Sequence, residues 1–446
     1  MRHIKVNCLA MIYINIMFFC LNPQLQASKA VEPRQDLKNL IFFIGDGMGI
    51  ASVTGGRIWA HGANGSLNIE KMPFSGFVKT FSSSDFVTDS AASATALASG
   101  VKTYNGAIGL SDPVLDPTGK SRSLETLVDL AKKLGKSVGI ISTARVTHAT
   151  PASFYAHVPS RDLEEEIAKQ VLTSKVDLLL GGGREAFLSQ RKDKRNLVSE
   201  MKQNGWKYAE DRDQLLAIKP VLGDRVLGLF SVDHMAYDLD RQKNQMNQPT
   251  LTEMLTFAES LLSQNPKGYF LMVEGGRIDH AAHNNNTRHI FGEVKAFDQA
   301  IGRALECQKQ DTLILVTADH ETGGLAISGY KSLTESKGEG IFGKVTNFLE
   351  DDRYLVSFAS GPGAKREKDD PKLHPALYHA GSAAHTAVDV PILASGPGAE
   401  NFSGFMSNED IPWKVSELLG APFEARANVE NHGLLKDRPA NVLGMK

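Results

Sequence analysis

The chain has 446 residues, 42% of them hydrophobic and 22% charged, and carries a formal charge of -2. This balance supports a large buried core and an ordinary soluble enzyme, built as one large α/β domain or two smaller ones. It offers no basic footprint, which excludes nucleic acid as an expected partner.

Residues 1–30 read as a secretory signal. Met1-Arg2-His3-Ile4-Lys5 gives a basic start, residues 9–21 a short apolar middle, and Gln26-Ala27-Ser28-Lys29-Ala30 small residues for a cut after Ala27 or Ala30. The apolar stretch is too short for a comfortable membrane span, and bulky Phe19 before Cys20 argues against a lipid anchor. Residues 435–446 lack the hydrophobic tail of a GPI signal. The expectation is export, periplasmic or extracellular, with no stable membrane anchor. Cleavage removes Cys8 and Cys20 and leaves Cys307 alone, so no internal disulfide is expected.

Leu40-Ile41-Phe42-Phe43-Ile44 is a continuous apolar run, the pattern of a strand buried on both faces of a parallel sheet. It breaks into Gly45-Asp46-Gly47-Met48-Gly49. The spacing misses G-x-G-x-x-G, and Asp46 would oppose a pyrophosphate, so a carboxylate in this glycine turn suits a cation. Further on, Thr88-Asp89-Ser90-Ala91-Ala92-Ser93-Ala94-Thr95 places a hydroxyl beside a carboxylate at the mouth of a small-residue helix. With Thr88 or Asp89 as cap, free N–H groups and the positive dipole end face any anion beside Ser90. Taken alone, this stretch reads equally well as an ordinary capped helix.

The strand-then-polar pattern repeats. Residues 138–142 lead to Arg145-Val146-Thr147-His148-Ala149-Thr150, and residues 176–180 end in Gly181-Gly182-Gly183. Residues 269–273 deliver Glu274-Gly275-Gly276, and residues 312–317 deliver Ala318-Asp319-His320. Helix patterns lie between them: residues 123–134 closed by Gly135, a capping box at Thr250 and Glu253 opening a helix that stops before Pro266, and residues 287–305 with Ile290, Val294, Phe297 and Ile301 on one face. The alternation predicts an α/β fold, a mostly parallel central sheet with helices on both faces, whose ligands gather beyond the strands' carboxyl ends. Gly135-Lys136-Ser137-Val138-Gly139 matches G-x-S-x-G, but it follows a helix and precedes a strand, so Ser137 is read as a turn residue. Residues 329–379 lose the pattern and read as a surface insertion, with no chemistry expected of His374 or His379. The core pattern returns at Val388-Asp389-Val390-Pro391-Ile392-Leu393.

The densest ligand cluster is Glu274-Gly275-Gly276-Arg277-Ile278-Asp279-His280-Ala281-Ala282-His283. A helix beginning near Ile278 sets Asp279 and His283 four apart on one face, able to reach one cation. The pair alone would be weak evidence. Asp46, Asp319 and His320 at other strand ends strengthen it.

At this point the chain resembles the alkaline phosphatase family, from about residue 40 to 397. The motifs, in chain order, are Gly45 to Gly49, Thr88 to Thr95, Thr103-Tyr104-Asn105-Gly106, His148-Ala149-Thr150-Pro151, Val273 to His280, Thr317-Ala318-Asp319-His320 and His385-Thr386-Ala387. The resemblance implies that residues 31–446 form a phosphatase domain with two zinc ions and one magnesium ion. By the family's pattern Asp279, His283 and His385 would hold the first zinc. Asp46, Asp319 and His320 would hold the second, whose remaining position meets Ser90. Asp46, Thr150 and Glu274 would hold magnesium, in a third site that His148 joins where some members carry Asp. Arg161 would bind phosphate and Asp89 would orient it.

His280 stands where some members carry Lys. It is expected to be partly charged near neutral pH and to lose that charge, and some hold on phosphate, as pH rises. The implied reaction is hydrolysis of phosphate monoesters through a phosphoserine at Ser90, by a homodimer on family analogy. The alternative within the same superfamily is a phosphodiesterase. No sulfatase-type C/S-x-P-x-R surrounds Ser90, the leader argues against a cytosolic mutase, and retention of Ser90, Arg161 and the metal ligands argues against a secreted binding protein without turnover.

Overall fold

A computed structural model describes residues 31–116, 118–327, 356–363 and 376–423; the expected leader and residues 424–446 lie outside the described residues. The first eight strands are β1 (Asn39–Gly45), β2 (Phe74–Lys79), β3 (Ser137–Arg145), β4 (Leu178–Gly182), β5 (Lys207–Ala209), β6 (Val226–Leu229), β7 (Tyr269–Glu274) and β8 (Thr312–Ala318). They are followed by β9 (Glu321–Thr322), β10 (Ala326–Ile327), β11 (Val356–Gly361), β12 (Ala376–His379), β13 (His385–Thr386), β14 (Val390–Ser395) and β15 (Gly404–Ser407).

Ten strands form one sheet in the order β15-β2-β14-β8-β1-β7-β3-β4-β6-β5. From β8 through β5 every pairing is parallel, and β14 enters antiparallel between β8 and β2. The sheet is therefore mostly parallel, as its apolar runs predict. Every residue of β1, β7 and β8 is buried. Neighbouring side chains on β1 point to opposite faces, and the aromatic contacts show both faces covered. Phe42 meets Phe154 edge-on at 6.5 Å, whereas Phe43 meets Phe297 of the Thr287–Glu306 helix at 5.7 Å.

Register places the chemistry. Ile44 pairs with Glu274 on one side and Thr317 on the other, while Ser142 pairs with Glu274. Asp46 and Asp319, one residue past β1 and β8, therefore sit level with the end of β7 at one sheet edge. A two-stranded ribbon pairs His385 with Thr322 and Thr386 with Glu321, bringing a residue from late in the chain to the same edge.

Two expectations need correction. The helix expected over 123–134 spans Leu127–Lys133, because Thr126 and Asp129 form a capping box and Ser123 is engaged in a bridge with Leu110. Ser137 is not a turn residue. It opens β3, and its Oγ accepts from Asn265 Nδ2 at 3.1 Å. The capping box at Thr250 stands, opening Leu251–Leu262. Within 329–379, β11 and β12 join β10 in a separate three-stranded sheet; His379 closes β12, and His374 lies outside the described residues. No helix among the described residues is long and apolar enough to cross a membrane.

Candidate active site and metal centre

Ser90 is the first residue of a buried helix, Ser90–Ser99, made only of Ser, Ala, Thr and Leu. Small side chains let it lie deep: Ser93 Oγ donates to Asp319 O at 2.7 Å, tying the helix to the end of β8. Asp89 is the N-cap, accepting from Ala92 N–H at 2.9 Å. Ser90 Oγ lies 3.0 Å from His320 Nε2 and 3.5 Å from Asp46 Oδ1. One hydroxyl thus adjoins the acids and imidazoles of two strand ends.

Around it the fold gathers three groups of close ligand atoms: Asp279 with His320 and His385, Asp46 with Asp319 and His320, and Asp46 with His148 and Glu274. His283, expected with the first, is in place, its Nε2 lying 3.1 Å from Asp279 Oδ2 and 3.2 Å from His385 Nε2. His320 Nε2 is 3.3 Å from Asp319 Oδ2. The outer nitrogens explain the orientation of the rings. His283 Nδ1 donates to Ala383 O at 2.6 Å and His385 Nδ1 to Thr88 O at 3.0 Å, so both Nε2 atoms face inwards to Asp279. A ring N–H held by a carbonyl is how ligating histidines are fixed.

Buried polar atoms without a hydrogen-bond partner include Asp46 Oδ2, Asp319 Oδ2, Glu274 Oε1 and Thr150 Oγ1, all in expected ligands. Native folds leave few such atoms, and a coordinated ion satisfies them. The electrostatics agree. Burial pushes Glu274 up to about 8 and Asp319 up to about 7, and raises Asp46 well above the carboxylate range beside Asp319 and Asp279. Burial also opposes ionisation of Asp279, but His283, His385 and His320 hold it well below its usual value. Four buried carboxylates in one site fit bound cations: N/O sets suit zinc, and the oxygen-rich Asp46, Glu274 and Thr150 suit magnesium.

The anion side is built from Arg161, whose Nη1 donates to Asp89 Oδ2 at 3.1 Å and whose Nη2 lies 3.1 Å from His148 Nε2. Burial, then Arg161, hold His148 neutral. A guanidinium only donates, so Nε2 accepts and the proton sits on Nδ1; His148 enters its cluster as a ligand only when Arg161 releases it. The expectation that His280 is partly charged near neutral pH fails. Burial pushes it down to about 4 against the pull of Asp279, and Arg277 Nη1 lies 3.0 Å from Nδ1, which must therefore accept. His280 is a neutral donor through Nε2.

Sequence reasoning missed Arg277 in its role beside His280, and it missed His234. The His234 ring lies 4.1 Å from His280 and 5.4 Å from His148, and it follows β6 at the same sheet edge. The strand-end pattern applied to residues 226–229 would have flagged it. Ser142, donating to Glu274 Oε2, and Thr322, donating to Asp279 Oδ1 at 2.5 Å, were missed as well.

A serine at a helix N-terminus among carboxylate and imidazole ligands, with a guanidinium opposite, defines a metal-dependent hydrolase of anionic esters. The alkaline phosphatase family model matches residues 37–420. Alkaline phosphatase 4 of Bacillus subtilis (strain 168) is 35% identical over 439 residues, covering 88% of this chain and 92% of the relative. The alkaline phosphatase of Gadus morhua is 34% identical, covering 84% and 90%. Among solved structures, the alkaline phosphatase of the Antarctic bacterium TAB5 superposes with TM-score 0.67 at 29% identity, covering 86% of this chain and 98% of that one. The Thermus thermophilus alkaline phosphatase gives 0.72 at 26% identity, covering 90% and 94%. The chain belongs to the alkaline phosphatase family and is a metal-dependent phosphatase.

Proposed function

We propose that the protein is an exported phosphomonoesterase that forms a phosphoserine at Ser90 and works with two zinc ions and one magnesium ion. The observation that carries the reading is the convergence of the ligand groups on Ser90 Oγ, with orphaned ligand atoms throughout. Asp279, His283 and His385 would hold one zinc, Asp46, Asp319 and His320 the other, and Asp46, Thr150 and Glu274 the magnesium. Ions bound there supply Lewis-acid stabilisation of the developing charges and lower the pKa of a coordinated hydroxyl.

The chain's own groups do the rest. Arg161 grips two nonbridging oxygens, with Asp89 fixing its plane. The N-terminus of the Ser90 helix favours the anion, and neutral His280 donates from Nε2. Ser90 Oγ releases its proton to solvent and forms a bond to phosphorus as the bond to the leaving alkoxide breaks, and the alkoxide takes up a proton from solvent. Water then attacks phosphorus, the Oγ–P bond breaks, and inorganic phosphate leaves. The third site follows from His148. A variant of the TAB5 enzyme with a histidine replaced by aspartate holds Mg in its M3 site, and we read His148 as the counterpart of that histidine, softening the site towards zinc.

Comparing p-nitrophenyl phosphate with bis(p-nitrophenyl) phosphate, alongside metal analysis of the purified protein, tests the reading. Preference for the monoester with zinc and magnesium bound supports it, and preference for the diester replaces it with the phosphodiesterase alternative. Export is tested by N-terminal sequencing of the secreted chain, expected to begin after Ala27 or Ala30. The homodimer expected by analogy is tested by light scattering.

A further inference from the structure

The Thr103-Tyr104-Asn105-Gly106 motif belongs to the family resemblance, yet none of its side chains has a part in the reading above. In the structure it is a strap between the loop carrying Ser90 and the loop carrying Arg161. On the Ser90 side, Asn105 Nδ2 donates to Val87 O at 3.0 Å while Asn105 Oδ1 accepts from Asp89 N–H at 3.1 Å. One amide thus grips the backbone on both sides of Thr88, as a strand would. The Asn105 backbone N–H donates to Ser84 Oγ at 3.1 Å, and Gly106 N–H donates to Asp89 Oδ2 at 3.1 Å.

On the Arg161 side, Gly106 O accepts from Arg161 N–H at 2.8 Å and Tyr104 OH donates to Pro159 O at 3.3 Å. Ile108 and Val158 exchange both backbone bonds at 3.0 Å. Gly106 turns the strap at φ 91°, a left-handed conformation that glycine adopts freely. Thr88 O, inside the grip of Asn105, is also the acceptor for His385 Nδ1.

We infer that Asn105 is a positioning residue for phosphate: it fixes the spacing between Ser90 and Arg161. The inference rests on the phosphomonoesterase reading. An alanine at 105 strands both the Val87 carbonyl and the Asp89 N–H. An aspartate keeps the acceptor for Asp89 N–H but sets an oxygen against Val87 O and a second negative charge beside Asp89.

The test is a double-mutant cycle on the metal-replete full chain, comparing the native protein, Asn105→Ala, Arg161→Ala and the double variant. Inorganic phosphate binding is read by calorimetry, and kcat and KM with p-nitrophenyl phosphate. Asn105→Ala is expected to weaken phosphate binding about tenfold when Arg161 is present. It should do so less than about twofold when Arg161 is absent, because the two act on one interaction. The loss should fall on KM more than on kcat. Equal factors in both backgrounds, or unchanged phosphate affinity in Asn105→Ala, overturn the inference. Should Asn105→Ala fail to fold, Asn105→Asp runs the same cycle under the same criteria. A native enzyme that hydrolyses the monoester without this coupling refutes only the role of Asn105, whereas a native chain that does not hydrolyse it refutes the underlying reading.

Discussion

Replacing Asp89 separates what the site needs for holding phosphate from what it needs for folding. The carboxylate accepts from Ala92 N–H at 2.9 Å as a helix cap, and from Gly106 N–H and Arg161 Nη1, both at 3.1 Å. Asp89→Asn keeps the cap, since Asn and Asp cap equally well, but turns an NH2 group towards two donors and frees the guanidinium. The side chains of Arg161 and Asp89 are 26% and 21% exposed, so the charge-assisted bond is discounted to roughly 1.4 kcal/mol, or about tenfold. The phosphate inhibition constant should rise about tenfold in Asp89→Asn, and kcat/KM should fall by a similar factor. Turnover at saturating substrate is spared, because looser phosphate also leaves faster where release limits the rate. Asp89→Ala should show the same kinetics and in addition lose about 1 kcal/mol in urea unfolding. An Asp89→Asn enzyme that binds phosphate as tightly as the native one, or is destabilised as much as Asp89→Ala, refutes the reasoning.

Burial lifts Glu274 to about 8 and Asp319 to about 7, from unfolded values of 4.5 and 3.8, so the metal-free fold binds more protons than the unfolded chain in between. The stability these two groups contribute is therefore fully present below pH ~4 and lost as pH rises to ~8; because His148, His280 and His320 are buried neutral and act oppositely below pH ~6.5, calorimetry with chelator at pH 6.5 and 8.5 reads it, and a rise with pH over that range contradicts it. Zinc and magnesium should restore more stability at pH 8.5 than at pH 5. Because His280 is already neutral, the ratio of phosphate inhibition constants between the native enzyme and His280→Gln should be constant from pH 6 to 9, while His280→Lys should tighten inhibition; a ratio that drifts with pH returns the titrating role to His280. His148→Asp should increase magnesium content at the expense of zinc, read by metal analysis after dialysis against both ions, and an unchanged ratio removes His148 from the third site.

The long buried strands were legible in the sequence because a strand covered on both faces leaves a continuous apolar run, and β1, β7 and β8 carry the site acids at their ends. Strands away from the centre of the sheet left a weaker mark: β2 alternates buried and exposed residues and β6 has four residues including Gly228, while β14 showed as an apolar run with nothing to say that it runs against its neighbours. Asp46, Ser90, Asp279, Asp319 and His320 could be found because their chemistry is written in short motifs. The groups that aim them could not, since Arg277 and Thr322 act through contacts that only the folded chain creates. The grip of Asn105 on Val87 and Asp89 spans 16 to 18 residues, and nothing local signals it. The error over His280 has the same origin, as its neutrality depends on burial and on how Arg277 is directed.

The most direct test of the central claim is to trap the covalent intermediate. Metal-replete enzyme turning over a labelled phosphate monoester is quenched in acid, digested, and the labelled peptide sequenced. The account predicts phosphate on Ser90, absent after chelation and absent in Ser90→Ala. Label on Ser93 or Ser137, or undiminished turnover by Ser90→Ala with no labelled serine, would contradict it.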